Sequence, residues 1–258
     1  MRAFEIIRII EEFAPPAIQE SWDNSGLSIG DLDSEVNSVL LALDCTPEII
    51  EEAVSTGCQM IITHHPLIFK GIKQISNDTL LGSMITRIIR NNIIIYSAHT
   101  NADKVLSGVS GIMAARLGLV NIKFLNQDSG GEYGMGVIGD LETPSNFFQI
   151  LKKVKKNFNP GVIKCSKPID DKISRIALCG GSGSSLIENA REAGAQLFIT
   201  GDVSYHFFFS EKGFMIMDIG HYESEYGLLE LLKSVLTKKI STFAVRIAEK
   251  NTNPIHYY

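Results

Sequence analysis

Two histidine–carboxylate pairs with the same spacing lie in opposite halves of the chain: His99 with Asp103 in SAHTNAD, and His221 with Glu225 in IGHYESE. Each follows a short apolar run, IIIY (93–96) and MIM (215–217), that reads as a buried strand. A third element, His64 and His65, closes the apolar run QMIITHH. Imidazole nitrogens and carboxylate oxygens gathered at strand ends on a rigid frame are what a divalent cation requires. The chemistry to expect is therefore metal chemistry.

Each element also has a plainer reading. Adjacent strand residues point to opposite faces, so one of His64 and His65 would pack in the core and the other meet water. At a strand's end the backbone can turn, and Pro66 fixes such a turn, so that both rings reach one site. Ligand sites of open α/β sheets gather at those carboxyl ends. His221 and Glu225 share one face of a helix begun after Gly220 and can chelate one ion. An ordinary acid-rich first helical turn accounts for the same residues. His99 and Asp103 act likewise, or His99 orients a ligand through its second nitrogen. Asp202 in ITGDVSYH hydrogen-bonds a ligand imidazole or caps the next helix. Asp23 and Asn24 in SWDNSG make a polar turn or touch a substrate. GGSGSS (180–185) looks like an anion cradle, without the lysine of a P-loop. His206 and His256 read as structural or exposed.

The elements that position these residues repeat. LALDCTPEIIEEAVSTGCQMIITHH (41–65) aligns with LCGGSGSSLIENAREAGAQLFITGD (178–202) at a constant offset of 137, as in Ala53 with Ala190, Gly57 with Gly194 and Thr63 with Thr200. Each copy reads strand, amphipathic helix, glycine stop and second strand, a βαβ unit with parallel strands. The His–x3–acid elements repeat at an offset of 122. The expected division is a first α/β half over 1–125 with the HHP and HTNAD motifs, a bridging segment over 126–172, and a second half over 173–258 with GHYESE. Within 104–172, VSGIMAARLGL reads as a helix, SGGEYGMGVIGDLE as a strand pair or loop, and SNFFQILKKVKKNF as a helix started by Ser145. The stretch STFAVRIAEK (241–250) reads as one alternating strand.

Composition narrows the classes. The chain has 258 residues, 45% hydrophobic and 21% charged, enough for a sizeable core. A formal charge of −5 argues against a nucleic-acid partner. Cys45, Cys58, Cys165 and Cys179 have no CxxC spacing and read as reduced core residues of a cytoplasmic protein. The start, MRAFEIIRIIEEFAP, mixes charge and apolar residues at helical spacing, so it reads as neither signal peptide nor membrane span.

SWDNSGL, LDCT, THHPLIF, SAHTNAD, ALCGGSGS, ITGD and DIGHYESE, spread over residues 21–227, resemble the NIF-three-like family, whose members bear the name GTP cyclohydrolase 1 type 2 homologue. The resemblance implies a duplicated, intertwined three-layer α/β/α fold with mixed sheets and assembly as a hexameric ring. It implies two divalent metal ions per subunit (zinc, manganese or iron) held by His64, His65, Asp103, His221 and Glu225. Glu225 would bridge, His65 and Asp103 would complete one shell, and His64 and His221 the other. His99 would line the cleft and could move protons as a catalytic group. Many bacterial relatives carry a domain inserted in the middle, for which 104–172 is too short. The function implied is a dinuclear-metal-dependent hydrolase of a nucleotide or purine-type small molecule, with metal-activated water opening the guanine imidazole ring of GTP and releasing formate. The rival expectations are a metal-dependent phosphoesterase and a non-catalytic metal-handling or regulatory protein.

Overall fold

The structure is a computed structural model describing residues 1–169, 172–209, 212–240 and 243–258. Its strands are β1 (Gly26–Ile29), β2 (Ser38–Ala42), β3 (Met60–Thr63), β4 (Ile94–Ser97), β5 (Leu119–Gln127), β6 (Gly134–Ser145), β7 (Lys164–Cys165), β8 (Ile173–Ser182), β9 (Leu197–Gly201), β10 (Met215–Asp218) and β11 (Ala244–Ile247). Its helices are α1 (Ala3–Phe13), α2 (Pro47–Thr56), α3 (Leu80–Arg90), α4 (Thr100–Asp103), α5 (Val109–Leu117), α6 (Phe147–Phe158), α7 (Ile187–Glu192), α8 (His221–Glu225) and α9 (Gly227–Lys239). The chain divides into two compact units: Met1–Ala102 with Leu228–Pro254, and Asp103–Gly227 with Ile255–Tyr258.

The first unit is built on a five-stranded sheet ordered β1-β4-β3-β2-β11. β4, β3, β2 and β11 run parallel, and β1 closes one edge antiparallel. β2, β3 and β4 are buried along their whole lengths. That is why they read as unbroken apolar runs rather than alternating ones. The crossover α2 starts where the Thr46 side chain accepts from the Ile49 amide and Pro47 fills the first turn. It stops at Gly57, whose φ of 66° is left-handed. Ile49, Ile50 and Ala53 of α2, with Met84 and Ile88 of α3, pack on Leu40, Ile61 and Ile95 of the sheet.

The second unit is built on a six-stranded mixed sheet ordered β5-β6-β8-β9-β10-β7. β8, β9 and β10 are parallel, while β5, β6 and β7 pair antiparallel. Ile176 and Leu178 face one side of the sheet with α5 and α6 residues such as Met113 and Ile150. Ala177 and Cys179 face the other with Ile187 and Ala190 of α7, the period of two that a strand imposes.

The repeat seen in sequence is a repeat of hydrogen-bonded register. Leu40 pairs with Ile61 and Leu41 with Ile62 in the first unit; Ala177 pairs with Phe198 and Leu178 with Ile199 in the second, every position displaced by the same 137. The fold is the expected duplicated α/β arrangement with mixed sheets. One helix start differs. Ser145 ends β6, and Asn146 caps α6, accepting from the Gln149 amide at 3.0 Å while Gln149 reaches back at 2.9 Å. The box needs its acceptor three residues before the glutamine, which Ser145 is not. The stretch read as a strand pair or loop, 129–142, supplies the first part of the long strand β6. Residues 170 and 171, and Ser241 and Thr242 of the alternating tail, lie outside the described residues. No helix among the described residues is long and apolar enough to cross a membrane.

Candidate metal centre

In the first unit the ladder of β3 carries on into the two histidines, whose amides donate to Ala42 and Leu43 carbonyls at 3.3 and 2.9 Å. The Thr63 hydroxyl donates to the His65 carbonyl at 2.8 Å and shapes the turn. His64 is fully buried and His65 half-buried, yet their ring centroids are only 4.8 Å apart. His99, just past β4, lies 5.1 and 5.5 Å from them. Each of the three rings offers a nitrogen within 4.8 Å of the others.

Each ring is also held through Nδ1. His64 Nδ1 lies 2.8 Å from the Ala98 carbonyl. His65 Nδ1 is 2.8 Å from Asp44 Oδ1, and His99 Nδ1 2.7 Å from Asp23 Oδ1. A carbonyl or carboxylate only accepts, so Nδ1 carries the proton and Nε2 is the nitrogen that bears the lone pair. The holding groups are held in turn. Asp44 Oδ2 accepts from the Thr252 hydroxyl at 2.9 Å. Asp23 Oδ2 accepts from Ser25 Oγ at 2.8 Å and the Thr100 amide at 3.1 Å. Burial pushes the Asp23 carboxyl up, but hydrogen bonds from His99, Thr100 and the Asn24 amide outweigh it. They hold the group well below the usual carboxylate range.

In the second unit, Gly220 turns the chain out of β10 at a φ of 93°, and α8 begins at once with His221. His221 Nδ1 lies 2.7 Å from Asp202 Oδ2, and its Nε2 lies 3.2 Å from Oε1 of the buried Glu225. With Nδ1–H given to Asp202, a lone pair on Nε2 faces a carboxylate. A shared cation reconciles the two, as does a second proton on the ring. Gly181 makes the approach possible. Its φ is 59°, and a Cβ there would fall inside contact distance of Glu225 Oε1 and His221 Nε2. Its amide donates to Ser224 Oγ at 2.9 Å. The GGSGSS segment thus admits the α8 side chains against β8. Asp103, at the end of α4, and Glu225 both raise the thiol of Cys179 through their charge, after burial, which is the larger cause.

The structure therefore gathers His64, His65 and His99 in one unit, and ties His221 to Glu225 and Asp202 in the other. Between its two readings, Asp202 holds the imidazole. Asp44 was missed as a holding group, although register could have found it. Ala42 pairs with Thr63, so two residues further Asp44 comes opposite His65. The donor set, imidazoles fixed through Nδ1 and buried carboxylate, fits a divalent cation of hard to borderline character.

A family model described as Duf34/NIF3 (NGG1p interacting factor 3) matches residues 1–254. The chain is 35% identical to a Clostridium acetobutylicum protein named GTP cyclohydrolase 1 type 2 homolog, over 100% of this chain and 99% of that one. Among solved structures it is similar to a Staphylococcus aureus hypothetical protein, with a TM-score of 0.91 at 30% identity over 100% and 99% of the two chains. It is also similar to reduced HcgD from Methanocaldococcus jannaschii, with a TM-score of 0.84 at 30% identity over 97% and 98%.

Proposed function

This chain belongs to the Duf34/NIF3 family, and on that premise we propose that it is a divalent-metal-dependent hydrolase of a nucleotide or purine-type small molecule. The observation that carries the proposal is the uniform treatment of the histidines: His64, His65, His99 and His221 each have Nδ1 fixed by an oxygen acceptor. Core histidines have no need of such a common orientation; ligands do. His64, His65 and Asp103, with His221 and Glu225, are the residues proposed to hold two ions. A divalent ion bound there supplies Lewis acidity and acidifies water. Asp44, Asp23 and Asp202 hold the tautomers. His99, its Nδ1 proton shared with Asp23, keeps Nε2 able to take a proton from the reaction and return it.

GTP is the substrate to try first, because relatives bear the name of a GTP cyclohydrolase homologue. Protein loaded separately with zinc, manganese and iron is incubated with GTP while formate release and pterin fluorescence are followed, with Glu225→Ala as control. Metal-dependent turnover lost in the variant supports the proposal. Full metal occupancy with no turnover of GTP or of phosphoesters replaces it with a metal-handling or regulatory role. A ring-shaped homo-oligomer and a cytoplasmic location belong to the same proposal. Light scattering that gives a monomer mass removes the ring.

A further inference from the structure

Two large aromatic side chains border the three-histidine cluster of the first unit and stay open to solvent. Trp22 is 57% exposed and Phe69 45%. Their ring centroids are 5.9 Å apart at 53°, and each lies 6.2 Å from the His99 ring, edge-on, at 75° and 78°. Water-facing rings of this size sit at an energetic disadvantage unless something covers them.

These rings are also held in place. Trp22 is followed by Asp23, whose side chain is wholly buried and bonded to His99 and Thr100. Asn24 Nδ2 donates to the Ile68 carbonyl at 2.6 Å, which ties the turn bearing Trp22 to the residue before Phe69. An exposed aromatic pair on backbone tied down beside it, next to a cluster of potential metal ligands, has the form of a ligand surface.

We propose that Trp22 and Phe69 form a ledge on which the planar heteroaromatic ring of a substrate stacks beside His99, so that the site selects nucleobase-like compounds over sugars and phosphates. The inference rests on the hydrolase reading for the site that the ledge borders. It concerns the ring of the substrate and not its charged groups, because Trp22 and Phe69 offer exposed aromatic surface and no charge beside His99.

Trp22 is the single tryptophan of the chain, so fluorescence excited beyond the tyrosine absorption band reports the ledge. Guanosine and adenosine are titrated into the protein, as purified and after chelation, with ribose and inorganic tripolyphosphate as probes lacking a planar ring. N-acetyltryptophanamide corrects for collisional quenching and absorption. The expected result is saturable quenching by both nucleosides and none by the other probes. Phe69→Ala and Phe69→Leu should bind about tenfold or more weakly with unchanged metal content, since leucine keeps apolar area without the π-face. Unsaturable quenching, an equal response to tripolyphosphate, or wild-type affinity in Phe69→Leu would overturn the ledge. Nucleoside binding with no turnover of GTP or of phosphoesters at full metal occupancy leaves the ledge standing and removes the hydrolase reading; GTP turnover without nucleoside quenching does the reverse.

Discussion

Asp44 and Gly181 occupy the same position in the two copies of the strand–helix–strand repeat, and they play opposite parts. Asp44 fills its position with a carboxylate that holds His65 Nδ1. Gly181 leaves its position empty, where any Cβ would meet Glu225 Oε1. The next landmark is exchanged too: His65 in the first copy corresponds to Asp202 in the second, and Asp202 holds His221. Duplication kept the backbone register and redistributed donor, holder and gap among the equivalent positions.

The Asp44 carboxylate fixes the His65 tautomer, so Asp44→Asn should weaken metal binding by about ten- to a hundredfold without unfolding the protein. Thr252→Val, which removes only the hydroxyl bonded to the other oxygen, should have a smaller effect in the same direction. Chelator competition measures both. Unchanged affinity in Asp44→Asn would remove Asp44 from the site.

Gly181→Ala carries two penalties, a left-handed φ of 59° and a clash with Glu225. Gly57→Ala carries only the first, with a φ of 66° and open space around the added carbon. Denaturant unfolding should show Gly57→Ala losing about 1 kcal/mol and Gly181→Ala clearly more. Only Gly181→Ala should lose metal. Equal losses in stability with metal retained in both would mean that Glu225 moves aside freely.

Much of this was legible in the sequence because duplication left identities at a fixed offset, and because fully buried parallel strands advertise themselves as apolar runs. What was not legible depends on register and backbone turns. The register shift in β8 between Leu178 and Ser182 does not follow from GGSGSS, which suits an anion cradle as well. The strand pairing that brings Asp44 to His65 needs the Ala42–Thr63 register. The paired strands β4 and β10 are offset by 121, Ile94 to Met215, and the one residue more in the histidine offset of 122 goes with Gly220, whose φ of 93° lets α8 start directly at His221, whereas α4 starts one residue after His99. Spacing alone treats those two pairs as equivalent.

Burial, aided by the Asp44 charge, pushes the Cys45 thiol up to about 12 from an ordinary 9.0. The folded state therefore keeps a proton that the unfolded state gives up. This contribution is fully present below pH 9 and falls as pH rises from there to about 12, by roughly 1.4 kcal/mol per pH unit at most. Cys45→Ala should lose stability at neutral pH through its cavity but show a shallower alkaline slope. Thiol reagents at pH 8 should label Cys45 only after unfolding. Rapid labelling of Cys45 in the native protein would contradict the burial argument.

Glu225 is 4% exposed and meets His221 Nε2, so its carboxylate is either a metal ligand or the buried half of an ion pair with a protonated, partly exposed ring. The two cases part in Glu225→Ala. If the carboxylate is a ligand, at least one ion per chain is lost and circular dichroism stays close to wild type, because α8 is anchored by the Ser224 hydroxyl bonded to the Gly181 amide. If it is only an ion-pair partner, metal content is unchanged, and the partly exposed imidazolium keeps Asp202 as its counter-charge, so stability falls by about 1 kcal/mol or less. Ligation is the outcome expected here: Asp202 already fixes Nδ1, and Gly181 leaves the gap in which Nε2 and Oε1 converge. Metal analysis with denaturant unfolding of the same variant decides it, and full metal content in Glu225→Ala would remove Glu225 from the proposed centre.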